Sequence, residues 1–232
     1  MIRLLTLSAL LLTLSACAST RPDTGTRDLV VLVHGMGRSP LSMGALDVSL
    51  RRAGYRVLNV GYDSQRPSVA EIGAQVSAEI EGALDDEPAP RVHYVGHSLG
   101  TVVVRQVFHD GAPGTPGRAV FLAPPNQGSS SADQWARWIG WALPPIRELQ
   151  TTGGTAVSLG PPDGLEVAVI AGDRDGKVSV SETCLEGADH AVIPSGHTVI
   201  MMRPRVLRMV KGFLATGDLE GASDAACAEV LG

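Results

Sequence analysis

Short apolar runs and amphipathic stretches alternate along most of the chain. The run DLVVLVH, residues 28–34, ends at Gly35 and is typical of a strand buried on both faces of a parallel sheet. Further apolar runs lie at residues 55–60, 91–96, 119–122, 166–171 and 190–193. Each run is short and bounded by turn-forming or polar residues, so the pattern predicts strands rather than long buried helices.

The segments between these runs show helical periodicity. Apolar residues recur at helical spacing from Val69 to Leu84, with polar residues on the opposite face, until Pro88 ends the pattern. Residues 41–53 form a second helical stretch, and residues 206–214 carry the apolar stripe of a final helix. This alternation predicts an α/β fold, a doubly wound and mostly parallel sheet with helices on both faces, whose ligands bind beyond the carboxyl ends of the strands.

The composition is that of one well-cored globular domain. The 232 residues are 44% hydrophobic and 19% charged, and 27 glycines and 15 prolines are spread without a period, which excludes a disordered or fibrous chain. The formal net charge is −5, and no run of lysines or arginines offers the basic surface that nucleic acids require. Nucleic acid is therefore not an expected partner.

The first residues have the layout of a secretory signal. Arg3 precedes an apolar stretch, residues 4–14, that is too short for a stable transmembrane span, and small residues lead to Cys17. The segment LSAC, residues 14–17, resembles a bacterial lipobox, which implies cleavage before Cys17 and attachment of lipid to its thiol. An ordinary signal peptide with a chance cysteine and a buried N-terminal helix are the alternatives.

Lipidation of Cys17 would make the protein a lipoprotein anchored by acyl chains such as palmitate in the membrane of a bacterial cell envelope. By analogy with enteric bacteria, Ala18 favours the outer membrane, with the protein facing the periplasm. The predicted organisation is a signal peptide, a tether, one α/β domain and a C-terminal tail, at residues 1–16, 17–27, 28–216 and 217–232.

Two further cysteines, Cys184 and Cys227, form an even pair if Cys17 is lipidated. An oxidising compartment would allow a disulfide between them that pins the C-terminal tail, but sequence alone does not decide between a disulfide and two free thiols. No cluster of cysteine and histidine has the spacing of a zinc site.

The segment GHSLG, residues 96–100, matches the pattern G-x-S-x-G. The pattern alone is weak in a chain rich in glycine, but it lies between a predicted strand and a β-branched helical stretch, the strand-turn-helix context of a nucleophile elbow. The glycines permit a sharp turn and close strand-helix contact, which would hold the Ser98 hydroxyl clear of the sheet. A glycine-rich helix start capped by Ser98 is the alternative.

A serine nucleophile needs a base and an acid that orients the base. The segments GDRDGKV, residues 172–178, and SGHT, residues 195–198, supply both downstream of Ser98. With the chain order Ser, Asp, His, residues 28–215 resemble the α/β-hydrolase superfamily, specifically its small lipase and esterase branch. A minimal form of that fold, without a large cap domain, is then expected.

The resemblance also implies which residues act. The family loop G-x-x-D-x-x-V maps onto Gly172, Asp175 and Val178, so Asp175 is the expected acid and Asp173 the alternative. His197 lies in the expected loop for the base. The other candidate bases are His190, His97 and His34.

The segment VHGMG, residues 33–37, resembles the HG-x-G oxyanion loop of lipases. Acyl transfer needs fixed donors where the carbonyl oxygen gains charge, and the backbone N–H groups of Met36 and Leu99 are the expected pair. A glycine turn after a strand is the plain alternative.

Only about forty residues, 123–165, separate the fourth and fifth predicted strands, which excludes a large lid domain. All three tryptophans, Trp135, Trp138 and Trp141, lie there at helical spacing. They indicate either a helix packed over the core or a small apolar flap that contacts lipid or forms an acyl pocket.

Together these features predict a serine hydrolase that cleaves carboxylic esters through Ser98, His197 and Asp175 and an acyl-enzyme, with no metal or cofactor. A small-molecule ester or a lipid is the expected substrate, and the membrane is the expected partner through the N-terminal anchor. A thioesterase or amidase with the same residues, and a lipoprotein scaffold that does not use them, are the alternatives.

Overall fold

The computed structural model of the protein describes residues 27–231. The predicted signal peptide, Cys17, Ala18 and nearly all of the tether therefore lie outside the described residues. The described chain forms one parallel sheet of six strands in the order β2-β1-β3-β4-β5-β6. In chain order the strands are β1 Leu29–Val33, β2 Arg56–Val60, β3 Val92–His97, β4 Pro116–Leu122, β5 Glu166–Gly172 and β6 Asp189–Ile193.

Helices connect the strands. The α-helices are α1 Gly44–Ala53, α2 Val69–Asp86, α3 Leu99–His109, α4 Ser130–Ile139, α5 Pro144–Glu148, α6 Thr155–Ser158, α7 Pro204–Thr216 and α8 Ala228–Leu231. Short 3-10 helices lie at Pro40–Met43, Ser181–Thr183, Ile200–Met202 and Asp224–Ala226. Helix α2 begins with the capping box in which Ser68 and Glu71 bond each other's backbone N–H.

The sheet has a core on each face. Alternate residues of a strand point to opposite faces, so Val30 and Leu32 of β1 pack with apolar residues of α1 and α7. Val31 and Val33 pack on the other face with α2 and α3. This confirms the predicted doubly wound sheet with helices on both faces.

Strand β4 is longer than the predicted run at residues 119–122. It begins at Pro116, and its first three residues are exposed or half-buried, whereas the rest are buried. The apolar pattern reports burial rather than pairing, and it therefore marks the buried half of this strand.

The segment between β4 and β5 contains three short helices, α4, α5 and α6, and no large cap domain. It follows the carboxyl end of β4, so it lies at the edge of the sheet where the loops after β1, β3, β5 and β6 also emerge. The minimal fold expected from the sequence is thereby confirmed, and this edge is where the candidate site lies.

Candidate active site

Ser98 lies at the sharp turn between β3 and α3. Its backbone has φ of 53° and ψ of −123°, a conformation that residues with a side chain rarely adopt. Its N–H donates to the Leu122 carbonyl at 3.0 Å, and the Thr101 hydroxyl donates to the Ser98 carbonyl at 2.7 Å. These two hydrogen bonds hold Ser98 in the sharp turn that the motif predicts.

The two glycines of the motif allow this turn because no Cβ fits at either position. A Cβ on Gly100 would lie 2.2 Å from the Val33 carbonyl oxygen, and one on Gly96 would lie 2.9 Å from the Thr101 backbone nitrogen. Both obstacles are backbone atoms, which cannot move aside as a flexible side chain can. Glycine is therefore required for α3 to start so close to β1 and β3.

His197 lies in the loop after β6 and points at Ser98. Its Nε2 is 3.0 Å from the Ser98 hydroxyl oxygen, although the two residues are 99 positions apart. A second histidine holds the backbone of this loop, because His97 Nε2 donates a hydrogen bond to the His197 carbonyl oxygen at 3.0 Å. The structure therefore brings the predicted base and the predicted nucleophile within hydrogen-bond distance.

Asp175 completes the arrangement from the loop after β5. Its Oδ2 accepts a hydrogen bond from His197 Nδ1 at 2.7 Å. Its Oδ1 accepts from the backbone N–H groups of Lys177 and Val178, at 2.8 and 3.0 Å. Because a carboxylate only accepts, His197 carries its proton on Nδ1 and presents the Nε2 lone pair to Ser98.

Ionisation of Asp175 is favoured despite burial. Burial by itself raises the pKa of Asp175, but the hydrogen bond and charge of His197, together with the N–H groups of Val178 and Lys177, outweigh it and hold the pKa below its usual value. The side chain is 1% exposed. Asp175 is therefore an anion positioned to stabilise a protonated imidazole.

Asp173, the alternative acid, has different partners. Its Oδ1 accepts from the Ser195 backbone N–H at 3.1 Å and lies 3.4 Å from Arg174 Nε. The side chains of Asp173 and Arg174 are both far more exposed than that of Asp175. The structure places Asp175, and not Asp173, against His197.

The rings of the other candidate bases, His97, His190 and His34, have partners other than the Ser98 hydroxyl. His97 is buried beneath the site, and burial, more than the neighbouring His197 and Arg38, lowers its pKa to about 3. His190 Nε2 lies 2.8 Å from the Thr183 hydroxyl, and the His34 ring stacks on the Tyr62 ring. Among the described residues, His197 is the histidine whose ring lies within hydrogen-bond distance of the Ser98 hydroxyl.

The predicted oxyanion loop runs directly beside Ser98. A Cβ on Gly35 would lie 3.2 Å from the Cβ of Ser98 and 2.8 Å from His97 Nδ1, so the loop and the elbow are in close contact. Met36 lines the same cleft as Ser98. Leu99 is the first residue of α3, where helical N–H groups have no partner inside the helix.

Two residues that the sequence did not single out hold this loop. The Tyr62 hydroxyl donates to the His34 carbonyl oxygen, and the Tyr62 ring stacks on the His34 ring with centroids 4.1 Å apart. The Gly37 N–H donates to the Ser64 hydroxyl at 2.9 Å. Both contacts join segments about thirty residues apart, and no motif in the sequence indicates them.

A cleft of about 300 Å³ opens above Ser98 and His197. Its apolar side comes from α4, α5 and the chain around them: Ala132, Trp135, Ile139, Leu143, Ile146 and Leu149. Its other lining residues include Met36, Arg38, Lys177, Val178 and Thr198. An acyl chain can lie along the apolar side with its carbonyl group next to Ser98.

The tryptophans are not packed over the core. Trp135, Trp138 and Trp141 are 56%, 78% and 79% exposed. Of the three, Trp135 lines the cleft, and Trp141 lies beyond the end of α4 with its indole N–H donating to the Trp138 carbonyl at 3.2 Å. Helix α4 packs against the core through Ala132, Ala136 and Ile139 instead, so the helix covers the core while its tryptophans are exposed.

Cys184 and Cys227 are joined by a disulfide, with their Cα atoms 5.5 Å apart. With His190 they form the one group of three potential metal ligands among residues 27–231. Their sulfurs are bonded to each other, so they offer no thiolate to a metal ion. Within the same residues, none of the helices combines the length and the apolar character that crossing a membrane requires.

Comparison with known proteins agrees with this architecture. A family model described as the alpha/beta hydrolase family matches residues 30–182, which is more than half of the chain. The chain belongs to the alpha/beta hydrolase family. No curated protein matches the sequence.

Solved structures share the fold at low sequence identity. The mature form of a Bacillus licheniformis lipase is 18% identical with a TM-score of 0.66, over 84% of this chain and 94% of that one. A Pyrococcus furiosus esterase is 18% identical with a TM-score of 0.64, over 83% of each chain. A Paleococcus ferrophilus monoacylglycerol lipase is 17% identical with a TM-score of 0.63, over 84% and 97%. The chain spans 51% of the propeptide form of the Bacillus lipase.

Proposed function

We propose that the protein is a serine hydrolase that cleaves carboxylic esters through Ser98, His197 and Asp175. The observation that carries the proposal is the continuous hydrogen-bonded chain from the Ser98 hydroxyl through the His197 ring to the Asp175 carboxylate, with distances of 3.0 and 2.7 Å. The strained elbow and the cleft above it support the same conclusion.

The first half-reaction forms an acyl-enzyme. Ser98 Oγ attacks the ester carbonyl carbon while its proton passes to His197 Nε2, and Asp175 stabilises the imidazolium. The N–H groups of Met36 and Leu99 donate to the oxyanion of the tetrahedral intermediate. As the bond to the alcohol oxygen breaks, His197 Nε2 returns the proton to that oxygen, and the alcohol leaves.

The second half-reaction releases the acid. Water takes the place of the alcohol, His197 Nε2 accepts its proton, and the resulting oxygen attacks the acyl carbon. The second tetrahedral intermediate collapses, the proton returns to Ser98 Oγ, and the carboxylic acid departs. The residues of this cycle all come from the loops at one edge of the sheet.

The test is the variant Ser98→Ala, assayed with a soluble short-chain ester and a fluorophosphonate probe. We expect hydrolysis to fall roughly 10⁴- to 10⁶-fold and probe labelling to disappear, because no nucleophile remains. Ser158→Ala, which removes an exposed hydroxyl on α6, is the matched control and should behave as wild type. Hydrolysis that persists in Ser98→Ala, or a wild-type protein that neither hydrolyses esters nor takes up the probe, would refute the proposal.

We also propose that lipidation of Cys17 anchors this hydrolase to the bacterial cell envelope, on the outer membrane facing the periplasm. The proposal rests on the apolar stretch at residues 4–14 and the segment LSAC at residues 14–17. Cys17→Ala should move the protein from the membrane fraction to the soluble fraction, or leave it as an uncleaved precursor. Unchanged membrane fractionation, with no lipid label on wild type, would contradict the proposal.

A further inference from the structure

Two cationic residues line the mouth of the cleft. Arg38 follows the oxyanion loop, and Lys177 lies two residues after Asp175. Both are exposed, and within residues 27–231 neither forms an ion pair or a side-chain hydrogen bond. The chain as a whole carries a net charge of −5, so two uncompensated cations at the cleft oppose the overall charge.

The carboxylates beside Lys177 already have partners. Asp175 accepts hydrogen bonds on both oxygens, from His197, Lys177 and Val178. Glu182, which lines an adjoining hollow with Lys177, accepts from the backbone N–H groups of Ser130 and Ser179, both at 2.7 Å. The two cations are therefore available to an anion brought by a ligand.

The chemistry of the site decides which part of an ester meets these cations. His197 Nε2 must reach the leaving oxygen, so the alcohol part lies on the His197 side of the cleft. Lys177 belongs to the loop that holds Asp175 against His197, and Arg38 lines the cleft together with His97 and Ser98. The apolar residues of α4 and α5 also line the cleft, and the acyl chain lies along them. Lys177 borders the polar start of α4, where the Ser129 hydroxyl donates to the Lys177 carbonyl oxygen at 2.7 Å.

We propose that the preferred substrate is an ester whose alcohol part carries an anionic group, a phosphate or a carboxylate, that Arg38 and Lys177 bind. This inference rests on the proposed function and narrows its substrate class. A guanidinium and an ammonium from two different loops match an oxyanion group with several acceptor oxygens. The neutral acyl chain thus meets the apolar residues of the cleft, and the charged alcohol meets its two cations.

The experiment compares three soluble esters with the same hexanoyl chain, on glycerol, on glycerol 3-phosphate and on glyceric acid. Wild type should show a kcat/KM roughly 20-fold higher for the preferred anionic ester than for the neutral ester, and 0.5 M NaCl should reduce that ratio. Comparison of the two anionic esters identifies phosphate or carboxylate as the recognised group.

The variants Arg38→Gln and Lys177→Gln should each lower the ratio of anionic to neutral kcat/KM by roughly 5-fold, which is the scale of one exposed charge pair. Arg52→Gln on α1 and Lys211→Gln on α7 remove a cation of the same kind outside the cleft and should keep the wild-type ratio. Arg52→Gln is the matched control for Arg38→Gln, and Lys211→Gln is the matched control for Lys177→Gln.

Two outcomes separate this inference from the function on which it rests. If the neutral ester is hydrolysed through Ser98 but no anionic ester is preferred, or if the Arg38 and Lys177 variants keep the ratio, the inference is wrong and the hydrolase stands. If wild type hydrolyses none of the three esters and takes up no fluorophosphonate, both proposals fall.

Discussion

At the scale of single residues, Asp175 and Asp173 differ in the groups that their carboxylates contact. Asp175 bonds His197 at 2.7 Å, whereas Asp173 bonds the Ser195 backbone. Asp175→Asn should therefore lower kcat/KM by roughly 10⁴-fold, because an amide no longer fixes the tautomer of His197 or stabilises its charge. Asp173→Asn should lower it by less than about 10-fold. Steady-state kinetics on the two isosteric variants checks the order, and the reverse order would make Asp173 the acid.

The buried His97 should make stability depend on pH. Its pKa is about 3 in the folded protein, well below the value of 6.5 for an exposed histidine. Between these values the unfolded chain binds a proton that the folded protein does not, so stability falls as the pH drops from about 6.5 toward 3. A group shifted in this way costs about 1.4 kcal/mol per pH unit inside that window.

His97→Gln tests this dependence, because its amide nitrogen reaches as far as the histidine Nε2 and can still donate to the His197 carbonyl, but does not titrate. Denaturant unfolding at pH 7.5 and pH 5 should show a smaller loss of unfolding free energy for the variant than for wild type, by about 2 kcal/mol. The comparison uses the difference between the two pH values, so a constant packing defect in the variant cancels. Parallel losses in the two proteins would show that His97 is not the source.

At the scale of elements, the central strands β1 and β3 were predicted well because they are buried on both faces. Every residue of β1 and β3 is buried, and the apolar runs coincide with these strands to within a residue. The pattern missed the start of β4, whose first three residues, from Pro116, are exposed or half-buried. The order of strands in the sheet was not predictable in the same way, because it depends on which apolar surfaces meet and not on local periodicity.

The segment between β4 and β5 shows the opposite case. Its length predicted the absence of a large cap, but its tryptophans left both a helix packed over the core and a small apolar flap open. The structure exposes them and lines the cleft with residues such as Ile139, Leu143 and Ile146. Helical spacing alone does not say which face of a short helix meets the core, since that choice is made by tertiary contacts.

The apolar lining from this segment should set the acyl length. Leu143→Trp adds bulk to the apolar side of the cleft, so long acyl chains should fit less well than short ones. We expect the ratio of kcat/KM for octanoyl to butyryl esters of one alcohol to fall about 10-fold. Val157→Trp on α6, outside the cleft lining, is the control. An unchanged ratio in Leu143→Trp would mean that the acyl chain lies elsewhere.

At the scale of the whole molecule, the parallel sheet explains how distant residues meet. Ser98, Asp175 and His197 follow the carboxyl ends of β3, β5 and β6, which lie at one edge because all six strands run the same way. The motifs and their order therefore located these residues in the sequence. Tyr62, which bonds and stacks on His34, belongs to no such motif, because its segment meets the loop after β1 only in the folded chain.

The disulfide joins the C-terminal tail to the part of the molecule that carries Asp175. Cys184 follows the 3-10 helix after the Asp175 loop, Cys227 precedes α8, and the bond closes a loop of 43 residues. Closing a loop of this length stabilises the folded state by up to about 4 kcal/mol, mainly by restricting the unfolded chain. The tail has other contacts beside β6, including the Ser223 N–H to the His190 carbonyl at 2.8 Å.

The double variant Cys184→Ala, Cys227→Ala should therefore remain folded with its hydrogen-bonded site intact but lose about 2–4 kcal/mol of unfolding free energy. Denaturant unfolding with and without dithiothreitol checks this, because the reductant should destabilise wild type and leave the double variant unchanged. Specific activity measured well below the unfolding transition should fall far less than stability, since Asp175 keeps its bonds to His197, Lys177 and Val178 without the disulfide. A double variant as stable as wild type would mean that the contacts of the tail, and not the covalent bond, hold it in place.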